Sequence, residues 1–294
     1  MVSNSKYFLS QEEPRLDPNK LDLIIRHSLL EDIGKGDITT ELTIPRTKSV
    51  KAQVLAKEDC VLCGMEVLER VFKIVDKNIR FIPKAKEGQK LKKNKVVALI
   101  QGKAHSIFSA ERVALNLLSH LSGVATKTRE FVEIVSPSKV KITDTRKTMP
   151  GLREIQKYAV RIGGGFNHRM ALDEMILIKD NHLQVTEGYT QLPKVPKGYK
   201  IEIEVENIEE FKHALKFKPD VIMLDNMAVS DIKKAVDIRN STPFTSHHPM
   251  TKLEVSGGVN LDTLKDIAAC GVDLISVGEL THSVKAIDFS LDVI

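Results

Sequence analysis

The sequence lacks the features that mark membrane-spanning, secreted and disulfide-rich proteins. Only 3 of its 294 residues are cysteine, as is typical of chains kept in a reducing compartment. No apolar run reaches the roughly 20 residues that a membrane-spanning helix needs, and the first residues lack the apolar core of a signal peptide. These absences favour a cytoplasmic protein with no membrane partner.

An excess of one charge is also missing. The chain carries 44 basic and 39 acidic residues, a net charge of +5, and this small, dispersed excess does not indicate nucleic-acid binding. Cys60 and Cys63 form a C-x2-C motif, but no second pair or nearby histidine completes a zinc site, so a structural role is expected. A composition of 42% hydrophobic and 28% charged residues is typical of a globular protein with one large or two ordinary domains.

Residues 1–110 predict an N-terminal α+β sandwich domain. Asp17 can cap a first helix whose apolar face holds Leu21, Ile25 and Leu29. Residues 65–75 have the spacing of a second helix. Short apolar runs predict strands at 50–56, 60–64, 79–83 and 96–101, paired mostly antiparallel.

Two further helices are expected before residue 139. Residues 109–123 carry a stripe of alanine, valine and leucine, and Gly123 suits the end of that helix. A second helix covers residues 126–135. Arg112 lies off the apolar stripe, so composition alone favours a solvent-facing side chain.

From residue 139 onward, strands and helices alternate, which predicts parallel strands. Six strand candidates are separated by helices, and polar or glycine-rich clusters fall repeatedly at their carboxyl ends. An open doubly wound sheet is the alternative, but a barrel explains this distribution better, because barrel sites lie at that edge. We predict an α/β protein with an irregular TIM-like barrel of about six to seven strands over residues 111–283.

The stretch 139–182 concentrates cations at two of these strand ends and in the loop between them. The five cations are Arg146, Lys147, His168, Arg169 and Lys179. Their convergence suits a small molecule with several anionic groups, since arginine binds carboxylates and phosphates through paired hydrogen bonds. Arg153, Lys157 and Arg161 instead recur at helical spacing and are expected to face solvent.

Two later strands add carboxylates. In IEIEV, Glu202 and Glu204 share one face and the isoleucines the other, so both glutamates should point into the barrel. Glu202 lies deeper and fits an internal ion pair, whereas Glu204, with Lys179 as its partner, is the functional candidate. Asp225 follows an apolar strand at the same edge and, with Glu204, could hold ribose hydroxyls or Mg²⁺ through water.

Glycines end the last two strands, which favours phosphate binding. Backbone N–H groups approach an anion closely where side chains are absent, and loops after late barrel strands are a frequent phosphate site. The residues concerned are Ser256, Gly257, Gly258 and Gly278, with His282 as a neighbouring candidate.

Together these motifs resemble the quinolinate phosphoribosyltransferase family. The matching segments follow the family's order from about residue 30 to the end, and they include DTRKTMPGLR, GGGFNHR, LIKDNH, EIEVEN, MLDN and SGG. The resemblance implies transfer of the phosphoribosyl group of 5-phosphoribosyl-1-pyrophosphate to quinolinate. The products would be nicotinate mononucleotide, pyrophosphate and CO₂, in de novo NAD synthesis with Mg²⁺ as cofactor.

The resemblance also implies a role for each candidate residue. Catalytic roles are implied for Lys147, Lys179, Glu204 and Asp225. Substrate binding is implied for these four and for Arg112, Thr145, Arg146, His168, Arg169, Ser256, Gly257, Gly258, Gly278 and His282. Mg²⁺ is expected at Glu204 and Asp225, through water and substrate oxygens.

The resemblance further implies an oligomer. In the family, the arginine matching Arg112 comes from the neighbouring subunit, which replaces the solvent-facing interpretation and implies a homodimer or a higher homo-oligomer. The tail, about residues 284–294, is expected to join the N-terminal domain. Two alternatives stay open: a paralogue linked to molybdenum transport, against which the intact DTRKT, NHR and KDNH motifs argue, and a non-catalytic binder of a phosphorylated ligand.

Overall fold

The computed structural model describes residues 9–10, 12–185, 196–242 and 250–294. The chain forms two compact units. The barrel unit contains Glu130–Lys147 and Gly165–Glu279, with the start of the chain up to Glu12, and the N-terminal unit contains Glu13–Arg129, Thr148–Gly164 and Leu280–Ile294. The sequence predicts one main boundary at residue 110 and a returning tail. In the structure, residues 148–164 also group with the N-terminal unit.

Helices and strands follow one another through both units. The helices are α1 (Pro18–Ile33), α2 (Ile38–Thr43), α3 (Met65–Val75), α4 (Ala104–Val135), α5 (Arg153–Ile162), α6 (Asp180–Val185), α7 (Ile208–Leu215), α8 (Val229–Ser241), α9 (Leu261–Ala269) and α10 (Glu279–His282). The strands are β1 (Ser49–Ala56), β2 (Cys60–Val61), β3 (Arg80–Pro83), β4 (Lys90–Leu91), β5 (Val96–Lys103), β6 (Lys141–Thr143), β7 (Ile176–Ile178), β8 (Ile201–Val205), β9 (Val221–Asp225), β10 (Lys252–Ser256), β11 (Leu274–Ser276) and β12 (Phe289–Val293). Within the described ranges, no helix combines the length and the apolar character needed to cross a membrane.

The N-terminal unit is built on an antiparallel sheet with the strand order β12-β1-β5-β3. The last strand of the chain, β12, pairs with β1, so that Val293 lies opposite Ala52. Helix α1 begins after Asp17, whose carboxylate accepts hydrogen bonds from the N–H groups of Asn19 and Lys20. Such a cap satisfies first-turn donors that lack a partner within the helix. Strands β2 and β4 form a separate pair.

Helix α4 is continuous over 32 residues, whereas the sequence predicts two helices separated at Gly123. This glycine lies inside the helix and makes room for the returning tail. A Cβ atom at this position would lie 2.4 Å from the carbonyl oxygen of Lys285 and 2.8 Å from the side chain of Val284. The glycine that suggests a helix end therefore serves close packing between a helix and a backbone segment.

Helix α5 corrects a second prediction. Lys157 is expected to face solvent with Arg153 and Arg161, but its side chain is 0% exposed, and the two arginines are only partly exposed. The buried residues of α5 are Ile155, Gln156, Lys157, Ala159 and Val160. At 3.6 residues per turn they cover more than half of the helix circumference, so this helix is enclosed on more than one face.

The barrel unit contains a six-stranded parallel sheet with the order β6-β11-β10-β9-β8-β7. Phe166 forms a parallel bridge with Thr143, which adds a short segment to the sheet beside β6. Helices α7, α8 and α9 follow strands β8, β9 and β10 along the chain. The predicted TIM-like α/β architecture of six to seven strands is confirmed.

The amino ends of the strands carry an apolar cluster, which leaves the carboxyl ends for polar groups. Met175, Val221 and Leu274 pack together, and Leu9 from the start of the chain packs against them. Val221 and Leu274 begin β9 and β11. The N–H of Leu9 donates to the carbonyl oxygen of Asn167 at 3.0 Å.

Candidate active site

The carboxyl ends of β7 and β8 bring a lysine and a carboxylate together. Lys179 directly follows β7, and its ammonium group donates to Oε2 of Glu204, which is only 8% exposed. Burial raises the pKa of Glu204, Lys179 opposes this change, and the negative charges of Asp225 and Asp180 add to it. A buried carboxylate needs such a cation, because its desolvation is otherwise costly.

The carboxyl ends of β9 and β10 are joined by an asparagine. Asp225 and Ser256, the last residues of the two strands, are partners in the parallel ladder. The side-chain amide of Asn226 donates to Oδ2 of Asp225 at 2.8 Å, and its backbone N–H donates to the carbonyl oxygen of Ser256 at 2.9 Å. Asp225 is therefore held beside the loop that follows Ser256.

That loop requires glycine. Gly257 has φ +81°, and a Cβ atom built on it would lie 2.3 Å from Oδ1 of Asn226. Gly258 has φ +61°, and a Cβ atom built on it would lie 3.8 Å from the same oxygen. Both residues occupy the left-handed region that side chains disfavour. Two adjacent residues without side chains leave the backbone open to close approach by an anion.

Two arginines of the barrel unit, Arg146 and Arg169, interact electrostatically with each other. The guanidinium of Arg169 donates to the carbonyl oxygen of Met175 at 3.0 Å, although Arg169 is only 7% exposed. Burial lowers the pKa of Arg169, the nearby charge of Arg146 lowers it further, and Glu202 opposes both. Two cations this close repel each other, so a bound anion would be stabilised beside them.

The carboxylates of Asp144 and Glu202 hold the NHR segment, which carries Arg169, in place. Asp144 is fully buried and accepts hydrogen bonds from the Asn167 amide at 2.5 Å and from the His168 N–H at 3.0 Å. The His168 ring contributes Nε2, which lies 2.9 Å from Oε2 of Glu202. These contacts fix the loop between β6 and β7 and determine where Arg169 lies.

Comparison with known proteins assigns this architecture to a family. Family models for the N-terminal and C-terminal domains of quinolinate phosphoribosyl transferase match residues 37–122 and 124–292. The probable nicotinate-nucleotide pyrophosphorylase (carboxylating) of Bacillus subtilis strain 168 is 40% identical over 279 residues, which is 93% of each chain. This chain belongs to the quinolinate phosphoribosyltransferase family.

Other members of the family support the assignment. Quinolinate phosphoribosyltransferase (decarboxylating) 1b of Nicotiana tabacum is 39% identical over 294 residues, covering 92% of this chain and 81% of that relative. The solved structure of nicotinate-nucleotide pyrophosphorylase from Francisella tularensis is 38% identical, with a TM-score of 0.88, and covers 97% of this chain and all of its own. Sequence and fold therefore agree on the family.

The structure groups most residues that the resemblance implies into two sets within the barrel unit. Lys179, Glu204 and Asp225 lie near one another, and Ser256 and the two following glycines adjoin Asp225. The other set contains Arg146, His168 and Arg169. Lys147 is exposed, and its N–H donates to Oγ1 of Thr145 at 3.0 Å. Gly278 follows β11 and is partly exposed.

Two of the implied residues, Arg112 and His282, belong to the N-terminal unit. Arg112 is exposed on α4, in agreement with its place off the apolar stripe. His282 is exposed at the end of α10, and its Nδ1 lies 2.7 Å from Oγ of Ser283. Their place in a shared site stays a prediction.

The residues that sequence reasoning missed are those that hold the others in place. Asp144, Asn226 and Glu254 have no assigned role in the sequence-based prediction, yet each contacts a candidate residue or its loop. Glu254 alternates with Leu253 and Val255 as Glu202 does with its isoleucines, so the same period-two argument would have found it. Asp144 and Asn226 offer a weaker signal, since polar residues after a strand are common.

Proposed function

We propose that this protein transfers the phosphoribosyl group of 5-phosphoribosyl-1-pyrophosphate to quinolinate and releases CO₂, forming nicotinate mononucleotide and pyrophosphate for NAD synthesis. The observation that carries the proposal is the juxtaposition in one unit of two arginines, a lysine–glutamate pair and a glycine loop. Each suits one part of the two substrates.

Quinolinate binding is assigned to the cations. A pyridine dicarboxylate presents two anionic groups on adjacent ring carbons, and Arg146, Lys147 and Arg169 offer the donors to hold them. Charge-assisted hydrogen bonds of this type contribute about 1.5–3 kcal/mol each. The repulsion between Arg146 and Arg169 would fall when a carboxylate binds, which favours a dianion over a neutral ring.

Phosphoribosyl pyrophosphate is assigned to the later strands. The N–H groups around Ser256, Gly257, Gly258 and Gly278 suit the 5-phosphate. Glu204 and Asp225 suit the ribose hydroxyls, since carboxylates accept hydrogen bonds from them.

Charge determines how these residues act on the reaction. The ring nitrogen forms a bond to the ribose carbon while the bond from that carbon to pyrophosphate breaks, and positive charge develops on the sugar. Glu204 and Asp225 stabilise that charge because their carboxylates lie at the same edge. Loss of CO₂ then leaves an electron pair on the ring carbon beside the cationic nitrogen, and this carbon takes up a proton. Arg146, Lys147 and Arg169 orient the departing carboxylate.

Mg²⁺ fits the carboxylate set. Glu204 and Asp225 provide the hard oxygen donors that this ion prefers, and the charge of Asp225 disfavours the ionised form of Glu204, a repulsion that a cation relieves. These two residues would hold it, in part through water. When bound, Mg²⁺ supplies charge neutralisation to the pyrophosphate group.

A homodimer or higher homo-oligomer that shares Arg112 is also part of the proposal. Arg112 projects from α4 with its side chain exposed. The same unit exposes large apolar side chains that a partner subunit would cover, namely Leu23, Leu30, Ile38 and Leu42. These four exposed side chains lie on α1 and α2, which follow one another along the chain. They support an interface in this part of the unit.

We place the protein in the cytoplasm. All three cysteines, Cys60, Cys63 and Cys270, are free, as expected in a reducing compartment. Fractionation of cells that produce the protein at native level tests this location.

An omission assay tests the activity. CO₂ release from quinolinate should require quinolinate, phosphoribosyl pyrophosphate and Mg²⁺ together, and omission of any one should abolish it. Turnover of nicotinate in place of quinolinate would contradict the assignment. Absence of any turnover would support the non-catalytic binder that the sequence leaves open.

A further inference from the structure

A buried glutamine of the N-terminal unit contacts three separate parts of that unit. Gln156 lies on α5 and is 0% exposed. Its amide group lies within hydrogen-bond distance of the loop before α5, of helix α4 and of helix α10. A buried amide is costly unless its donors and acceptors are satisfied. These contacts account for a polar side chain among the buried residues of α5, and the function proposed above gives it no role.

Two backbone groups determine which end of this amide is the oxygen. The N–H of Met149 donates to Oε1 of Gln156 at 2.9 Å, and Nε2 of Gln156 donates to the carbonyl oxygen of Thr281 at 2.9 Å. A backbone N–H only donates and a carbonyl oxygen only accepts, so the reversed amide would lose both bonds. The orientation of Gln156 is therefore fixed by the main chain on either side of it.

The second hydrogen of the amide determines the protonation state of His120. Nε2 of His120 lies 2.9 Å from Nε2 of Gln156. Because the amide nitrogen is a donor, this ring nitrogen must be the acceptor, and the neutral ring carries its hydrogen on Nδ1. Burial lowers the pKa of His120, which agrees with a neutral ring. His120 thus completes the hydrogen bonding of the amide without holding either backbone segment.

Both backbone segments that Gln156 holds adjoin candidate site residues. Met149 follows Lys147 by two residues, and Thr281 directly precedes His282. Lys147 and His282 are exposed, whereas Thr281 is 0% exposed. An exposed side chain is positioned mainly by the backbone that carries it, so a buried anchor one or two residues away restricts where it reaches.

Other contacts hold the same two segments from nearer the surface. The Arg153 guanidinium donates to Oγ1 of Thr148 at 3.0 Å, and the Lys127 ammonium donates to the carbonyl oxygen of Ser283 at 2.9 Å in an exposed bond. The bond from Gln156 to α10 is buried, where the loss of a partner costs most. Gln156 also joins the two segments through a single side chain, which neither of the other contacts does.

We propose that Gln156 is a positioning residue for the reaction, whose amide fixes the backbone beside Lys147 and the backbone beside His282 at once. Lys147 is assigned to quinolinate, and His282 is the candidate neighbour of the phosphate-binding glycines. Gln156 acts through these two residues and contacts neither substrate. This inference rests on the proposed function, because its main readout is KM for each substrate.

A purely structural role is the competing explanation, and His120→Phe is the matched control for it. Both Gln156 and His120 take part in buried hydrogen bonding, so loss of either should lower the thermal unfolding midpoint. His120→Phe removes one bond of the amide but leaves the bonds to Met149 and Thr281. It should therefore destabilise the protein while KM for both substrates changes little.

Two replacements of Gln156 separate its anchors. Gln156→Met keeps the length of the side chain and removes all three bonds, so KM for quinolinate and KM for phosphoribosyl pyrophosphate should each rise about tenfold. In Gln156→Glu at alkaline pH, the carboxylate still accepts from Met149 and from the other tautomer of His120, but it cannot donate to Thr281. KM for phosphoribosyl pyrophosphate should then rise about tenfold, and KM for quinolinate should change little.

The kinetic constants decide between the two roles. Unchanged KM values in Gln156→Met, or equal increases in His120→Phe, would overturn the proposal, as would an equal rise in KM for quinolinate in Gln156→Glu and Gln156→Met. If Gln156→Met does not fold, Gln156→Glu and His120→Phe are compared with wild type by the same constants.

A second readout does not depend on activity. If wild type itself releases no CO₂ from quinolinate, the proposed function fails, and the anchors are judged by backbone hydrogen exchange of residues 148–152. Exchange should be faster in Gln156→Met, which leaves the N–H of Met149 without its acceptor, and unchanged in Gln156→Glu and His120→Phe. Equal exchange rates in Gln156→Met and wild type would overturn the proposal.

Discussion

Replacement of Gly257 by alanine tests whether the loop after β10 binds phosphate as assigned. The Cβ atom of Gly257→Ala would lie 2.3 Å from Oδ1 and 2.5 Å from Cγ of Asn226, so the asparagine or the loop must move. Gly258→Ala is the matched control, since its Cβ would lie 3.8 Å from Oδ1 of Asn226. Both glycines have positive φ, so both replacements carry a similar left-handed strain of about 1–2 kcal/mol.

The difference between the two variants isolates the clash. Displacing Asn226 breaks the hydrogen bond from its amide to Asp225, and bonds to charged groups contribute about 1.5–3 kcal/mol. This bond is exposed, so we take the lower end, about 1.5 kcal/mol, which is roughly a factor of ten in KM. Gly257→Ala should therefore raise KM for phosphoribosyl pyrophosphate about tenfold more than Gly258→Ala, with KM for quinolinate little changed.

Initial rates at varied phosphoribosyl pyrophosphate and saturating quinolinate measure this difference. Asn226→Ala alone removes the same hydrogen bond, so adding Gly257→Ala to it should raise KM no more than Gly258→Ala does, as a double-mutant cycle would record. Equal KM values for Gly257→Ala and Gly258→Ala, or full additivity of Gly257→Ala and Asn226→Ala, would refute the assignment of the clash and of the loop.

Three further predictions address the oligomer, the tail and the barrel interior. Inactive Arg112→Ala and Lys147→Ala variants, mixed to form hybrid dimers, should regain part of the activity in CO₂ release, and a verified heterodimer without activity would count against a shared site. Gly123→Ala should destabilise the protein by about 1–3 kcal/mol, as overpacking does, and expose residues 284–294 to protease. Asn116→Ala, on the exposed face of the same helix, should do neither. The raised pKa of Glu254, about 8 against 4.5, makes the folded chain bind more protons than the unfolded one between these values. Stability should therefore fall as the pH rises across that window, and Glu254→Gln should remove this component from the thermal unfolding midpoint. An unchanged pH dependence would show that Glu254 does not hold the proton.

Periodicity and turn residues allowed much of the fold to be predicted. Residues 65–75 form the predicted helix, and the alternation in IEIEV places Glu204 inside the barrel beside Lys179. These predictions succeed because a strand's two faces and a helix's apolar stripe are recorded directly in the order of residues. The same alternation is present in β10, where it marks Glu254 as an inward-facing residue.

Predictions failed where a residue's neighbours come from distant parts of the chain. Gly123 looks like a helix end, and its contact with Lys285 depends on the returning tail. Lys157 looks like a surface residue, and its burial depends on how α5 is enclosed. The support that Asp144 gives to Asn167 and His168 is likewise invisible, because sequence order does not record which loop folds onto which strand end.

The most direct measurement of the central claim is the balance of products from quinolinate and from nicotinate. With phosphoribosyl pyrophosphate and Mg²⁺, quinolinate should give one nicotinate mononucleotide, one pyrophosphate and one CO₂ per molecule consumed, since the proposed function assigns the arginine pair to a dicarboxylate. Nicotinate, which has one carboxylate, should give no mononucleotide under the same conditions. Mononucleotide formed from nicotinate, or from quinolinate without an equivalent of CO₂, would contradict the account.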